Sequence, residues 1–105
     1  MVVKKVIGVI GLGSISTRHR RNLKQEFDAT VVAMPSSGRV VLEAIEYADV
    51  VVNHIDEMLE LKPDWVIIAS ASSTHLVFCE VLLNNAIPVL LEKPIAATLK
   101  DGIAL

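Results

Sequence analysis

The chain has 105 residues, enough to bury one core and too few for two. Its formal net charge of -2 leaves no basic face to neutralise a nucleic-acid backbone, and no apolar run approaches the ~20 residues of a membrane span, so neither nucleic acid nor membrane is an expected partner. Hydrophobic residues make up 52% and aromatic ones only 4%, more Val, Ile, Leu and Ala than one small core needs; a further domain or a second subunit of a homo-oligomer is expected to cover the excess.

A first strand is expected over residues 3–10 and a helix over 14–26, separated by a glycine turn. Residues 28–34 (DATVVAM) read as the second strand, ended by Pro35, Ser36, Ser37 and Gly38. A short helix is predicted over 39–47, a third strand over 48–53, and a helix over 55–61 that Pro63 stops. Residues 64–70 (DWVIIAS) form the clearest buried strand. Ser72, Ser73 or Thr74 can cap the next helix, which ends near Asn84 and Asn85, where either asparagine can take the left-handed conformation. Residues 88–91 (PVLL) make strand five, followed by Glu92, Lys93 and Pro94, and a last helix starts after Thr98, where residues 98–101 resemble a capping box.

Strands alternating with helices at this rhythm imply an α/β fold, a doubly wound parallel sheet of the Rossmann type with helices on both faces. The carboxyl ends of parallel strands meet on one edge, with a crevice where the strand order reverses. Four loops are therefore expected to converge, at residues 11–16, 35–39, 71–75 and 92–94. No cationic leader precedes the first strand, and a cytoplasmic protein is expected.

The first of these loops lies in the stretch VIGVIGLGSISTR, a β-branched run that stops at Gly11 and Gly13 and passes directly into a helix. Such a junction aims backbone N–H groups and the positive end of a helix dipole at one point, where a diphosphate is stabilised. Gly11 permits the sharp turn, and Gly13, lacking a Cβ, lets phosphates approach the backbone next to Ser14 and Ile15. The third glycine of G-x-G-x-x-G is replaced by Ser16, which weakens the match. A plain strand-to-helix turn also selects glycine; the position of the pattern in the first βα unit favours dinucleotide binding.

The second loop bears on which dinucleotide binds. An NAD site places an acid after strand two to hold the ribose hydroxyls; here Met34, Pro35, Ser36, Ser37, Gly38 and Arg39 follow instead. Two hydroxyls and a guanidinium without a carboxylate suit a 2′-phosphate, which favours NADP over NAD. An ordinary Ser/Gly turn with a solvated Arg39 is the alternative.

The triplet Glu92, Lys93, Pro94 after an apolar strand, preceded by Ser73, Thr74 and His75 and opened by GLGSIS, resembles the N-terminal domain of the glucose-fructose oxidoreductase, inositol dehydrogenase and rhizopine-catabolism family (Gfo/Idh/MocA) over essentially the whole chain. The resemblance implies that Lys93 lies beside the nicotinamide and the substrate hydroxyl and assists proton transfer, that Glu92 borders the nicotinamide ribose, and that Pro94 shapes the turn. It also implies cofactor contacts along Ser70, Ala71 and His75, with a local cap as the alternative for His75. A partly desolvated ammonium near a cationic ring has a loosened proton, which agrees with that role for Lys93; a surface lysine paired with Glu92 is the alternative.

Cys79 lies in an apolar helical pattern and reads as a buried thiol, not a nucleophile. His19 and His54 have no partners at ligand spacing, so no metal site is expected. Three departures from the family stand out: Ser16, the missing acid after strand two, and the absence of the family's second, substrate-binding domain. The sequence is thus expected to be the cofactor-binding part of an NAD(P)-dependent oxidoreductase acting on a sugar, polyol or nucleotide-sugar hydroxyl, inactive by itself. A non-catalytic nucleotide sensor or a module completed by a partner chain is the alternative. A methyltransferase-like sheet binding S-adenosylmethionine is a weaker third, because its ribose-binding acid is missing too.

Overall fold

Short runs rich in Val and Ile become the strands, and longer segments between them carry the helices. The computed structural model describes residues 5–36, 40–69 and 72–91, without the side chains of 72–76 and 91. In chain order these residues form β1 (Val6–Ile10), α1 (Ser14–Glu26), β2 (Thr30–Met34), β3 (Val50–Val51), α2 (Ile55–Glu60), β4 (Trp65–Ile68), α3 (Ser72–Asn84) and β5 (Val89–Leu91). The strands make one sheet in the order β3-β2-β1-β4-β5, and every pairing is parallel. The order reverses between β1 and β4, as a doubly wound sheet requires.

Alternation along each strand sends side chains to two cores. On one face Ile10, Val32, Met34, Val66 and Ile68 pack with Met58 of α2 and with Cys79 and Leu82 of α3. On the other, Ile7, Val9, Val31 and Ile67 pack with Leu23 of α1. Burial on both faces explains why these strands are almost continuously apolar.

The two edges of the sheet differ. At the amino edge side chains tie the strands down: Asp64 accepts the Val6 N–H at 2.8 Å, and Asp49 accepts the Val31 N–H at 2.8 Å while pairing with Lys24 Nζ at 2.8 Å. At the carboxyl edge the strands end in one row, since Ile10 is in register with both Met34 and Ile68, and Ile68 with Leu91. The loops that follow these four strands therefore leave from a common rim.

Two expectations are corrected. The helix over 39–47 does not form in its described part: residues 40–48 are irregular, with Tyr47 at φ 61°. Its backbone groups are claimed from outside, because the Asn53 side chain pairs both ways with the main chain of Val41 (2.7 and 3.1 Å) and Arg20 Nε donates to the Glu46 carbonyl at 2.9 Å. None of residues 40–48 is buried, and Leu42 is 91% exposed, so no packed face holds a helix there. At the end of α3 the left-handed residue is Ala86 (φ 59°), not an asparagine. The Ala86 N–H donates to the Leu83 carbonyl and the Ile87 N–H to the Leu82 carbonyl, both at 3.0 Å, a Schellman closure one residue beyond the predicted site. The expected helix after Thr98 lies outside the described residues.

Candidate functional site

The junction of β1 and α1 stands at the middle of the carboxyl rim. The ladder continues one residue past β1, where the Gly11 N–H donates to the Met34 carbonyl at 2.8 Å; the chain then turns with Gly11 at φ +112°. A Cβ on Gly11 would lie 2.7 Å from the Ala69 carbonyl oxygen and 2.9 Å from Ser16 Oγ. Both the dihedral and the close approach exclude any other residue.

Gly13 differs. Its φ of -74° suits any residue, and a Cβ built on it meets nothing within 4 Å. The fold does not require glycine there, yet the space beside its backbone is open. Gly13 is also the N-cap of α1, which has no side-chain cap and no acid in its first turn. No described side chain caps this start, so its first-turn N–H groups and the positive helix end suit the diphosphate of a dinucleotide. At α2, by contrast, Glu57 Oε1 accepts the N–H groups of Asn53 and His54 (3.0 and 3.1 Å), so that helix start is satisfied by its own chain.

Ser16 proves to be a fitting third member of the glycine pattern. It is fully buried, and its hydroxyl donates to the Ala69 carbonyl at 3.2 Å, fastening α1 to the end of β4. Ser16, Arg20 and Leu23 share the buried stripe of the helix. On its outer side a cavity of about 310 Å³ is lined, among the described residues, by Ile15, Arg18, His19 and Asn22, and Ile15 is 41% exposed.

Of the expected cofactor residues, Gly11, Gly13, Ser14 and Ile15 are brought together at this junction, and Ser36 follows β2 on the same rim after Met34 and Pro35. The backbone of His75 belongs to the first turn of α3. Ser37, Arg39, Ser70, Ala71, Glu92, Lys93 and Pro94 lie outside the described residues. Among the described residues no cluster of three His, Cys, Asp or Glu side chains could hold a metal ion, and no helix is long and apolar enough to cross a membrane.

Sequence reasoning passed over Arg20. It is 2% exposed, and its Nη1 lies 3.5 Å from the Gly11 carbonyl. Its spacing of four from Ser16 and three from Leu23 was the available signal for a buried position.

Residues 5–105 match the family model GFO_IDH_MocA, described as an oxidoreductase family with an NAD-binding Rossmann fold. Inositol 2-dehydrogenase 1 of Saccharopolyspora erythraea is 36% identical over 105 residues, covering 94% of this chain and 31% of that protein. Inositol 2-dehydrogenase 2 of Paenarthrobacter aurescens is 32% identical over 100 residues, covering 92% and 30%. Among solved structures, a Gfo/Idh/MocA family oxidoreductase from Vibrio cholerae superposes with a TM-score of 0.81 at 25% identity, over 96% of this chain and 33% of that one. The scyllo-inositol dehydrogenase from Lactobacillus casei with bound NAD(H) and scyllo-inositol gives 0.77 at 27% identity, over 94% and 31%. The chain spans about a third of the length of the relatives it matches.

Proposed function

The chain belongs to the Gfo/Idh/MocA oxidoreductase family, and from that membership we propose that it is the dinucleotide-binding part of an NAD(P)-dependent oxidoreductase that acts on a sugar, polyol or nucleotide-sugar hydroxyl. The observation that carries this reading is the uncapped start of α1 beside Gly13, where a Cβ would project into open space at the carboxyl rim of a parallel sheet. Here N–H groups of the first helical turn hold the diphosphate. The bound dinucleotide supplies hydride transfer at its nicotinamide. Lys93 handles the hydroxyl proton of the substrate, Glu92 borders the ribose, and Pro94 sets the turn between them. In support, Leu91, two positions before Lys93, ends β5 in register with Ile68 on the rim that carries Gly11.

NADP is the preferred dinucleotide in this reading. Strand β2 ends at Met34 and is followed by Pro35 and Ser36, so no carboxylate stands there to repel a 2′-phosphate, and Ser37 and Arg39 follow in sequence. The substrate is oriented mainly by residues outside this chain, so the chain alone binds cofactor without turnover. Leu42, Phe27 and Val77, which are 91%, 70% and 61% exposed, are available for cover by a further domain or a second copy.

Calorimetric titration with NADP, NAD and S-adenosylmethionine tests the reading. We expect heat with both dinucleotides, the tighter binding with NADP, and none with S-adenosylmethionine. NAD binding about tenfold or more tighter than NADP, equivalent to ~1.4 kcal/mol, would remove the argument from Ser36, Ser37 and Arg39. No heat with either dinucleotide would remove the function.

A further inference from the structure

A buried arginine in a helix that otherwise needs only one small and one apolar contact with the sheet calls for a physical reason. Arg20 is 2% exposed, and each branch of its guanidinium has a partner: Nε donates to the Glu46 carbonyl at 2.9 Å, Nη2 to Thr17 Oγ1 at 3.1 Å, and Nη1 reaches the Gly11 carbonyl at 3.5 Å. All three acceptors are neutral oxygens. Burial lowers the arginine's pKa from its ordinary value while the charge of Glu46 opposes the shift, and a guanidinium keeps its proton inside proteins. Taking a cation out of water is costly, and neutral dipoles offset that cost only in part. An anion arriving on the other side of the Gly11 turn would offset the rest.

The geometry allows this. Helical side chains lean toward the N-terminus, so the Arg20 head comes back along α1 to the turn that precedes it. In a planar trans peptide the C=O and N–H point in opposite directions, so a donor on the Gly11 carbonyl turns the Leu12 N–H away from the guanidinium and polarises it as a donor. The same side chain holds the 40–48 segment through the Glu46 carbonyl, 26 residues away.

We propose that Arg20 is a positioning residue of the dinucleotide site, bracing the Gly11–Leu12 peptide from behind and placing a buried positive charge beneath the seat of the diphosphate. The inference rests on the dinucleotide-binding reading above. It deepens that reading by naming a residue that never touches the ligand and is set by its own contacts to Gly11, Thr17 and Glu46.

The test is calorimetric titration of NAD and NADP into the wild-type chain, Arg20→Lys and Arg20→Gln, with adenosine as a phosphate-free probe and hydrogen exchange to verify folding. Lysine keeps the charge without the three-way fork; glutamine keeps a neutral donor without the charge. We expect Arg20→Lys to stay within about threefold of wild type for both dinucleotides, Arg20→Gln to weaken both about tenfold or more, and adenosine binding to be unchanged in either. Arg20→Gln within threefold of wild type, equal losses in the two variants, or a parallel loss of adenosine would each overturn the charge role. Should Arg20→Gln not fold, a tenfold loss in folded Arg20→Lys overturns the proposal and retained affinity supports it. A wild-type chain that binds neither dinucleotide defeats the underlying reading and this inference with it, whereas wild-type binding that tolerates Arg20→Gln leaves the reading standing and removes Arg20 alone.

Discussion

The hydroxyl of Ser16 donates to the main-chain carbonyl of Ala69 at 3.2 Å, joining the first turn of α1 to the residue after β4. These two segments bound the point where the strand order reverses, so the bond sets how closely the helix start approaches the crevice. A Ser16→Ala variant should lose about 1 kcal/mol of stability. Ser16→Val should lose about 1–3 kcal/mol, because the site is fully closed and extra methyl groups have nowhere to go. Urea denaturation of the two variants checks the order, and equal stability of valine and serine would contradict the packing described.

Gly11 and Gly13 should respond oppositely to alanine. Gly11→Ala combines a φ of +112° with a Cβ 2.7 Å from a carbonyl oxygen, and should cost about 2 kcal/mol or more. Gly13→Ala should fold nearly as well as wild type, yet weaken dinucleotide binding about tenfold, since in the proposed site its methyl group enters the space the phosphates would occupy. Thermal melts and titrations of the same two proteins decide the matter. Tight binding by Gly13→Ala would mean that the open space serves another purpose.

Ala86 closes α3 in a left-handed conformation that costs an L-residue about 1–2 kcal/mol. Ala86→Gly removes that strain and should raise stability by about 1 kcal/mol, the reverse of the usual glycine penalty. A lower denaturation midpoint in the glycine variant would show that the strain lies elsewhere.

Burial at 4% exposure pushes the Cys79 thiol above its ordinary pKa, because an apolar core disfavours the thiolate. A raised native pKa means that the protonated thiol favours the folded state. This contribution is fully present below the unfolded value of about 8.5–9 and is lost as pH rises through the native value. Stability should therefore fall above about pH 9 in wild type and fall less steeply in Cys79→Ala, measured as denaturation midpoint against pH. Native Cys79 should also resist thiol reagents until the chain unfolds.

Much of the candidate site is written locally. The turn at Gly11, the helix start at Gly13 and Ser14, and the ends of β2 and β5 follow from runs of β-branched residues punctuated by glycine, proline and serine. Cys79 is also legible as buried from the apolar spacing around it. Arg20 was hidden because a charged residue between Arg18 and Arg21 looks solvated until the segment carrying Glu46 is laid against it. The helix expected over 39–47 failed for the related reason that Asn53, from elsewhere in the chain, takes the Val41 carbonyl that a helix would use internally.

By itself the sequence determined the alternation of strand and helix, the parallel sheet, the position of the glycine turn and the family resemblance, since each rests on propensities and spacings within a few residues. Only the tertiary structure decided that Ser16 is the right residue beside Ala69, that Gly11 is excluded from change while Gly13 is not, and that a buried cation stands behind the turn. Those outcomes depend on which backbone oxygens the assembled sheet brings within about 3 Å of a side chain. No local pattern in 105 residues encodes that distance.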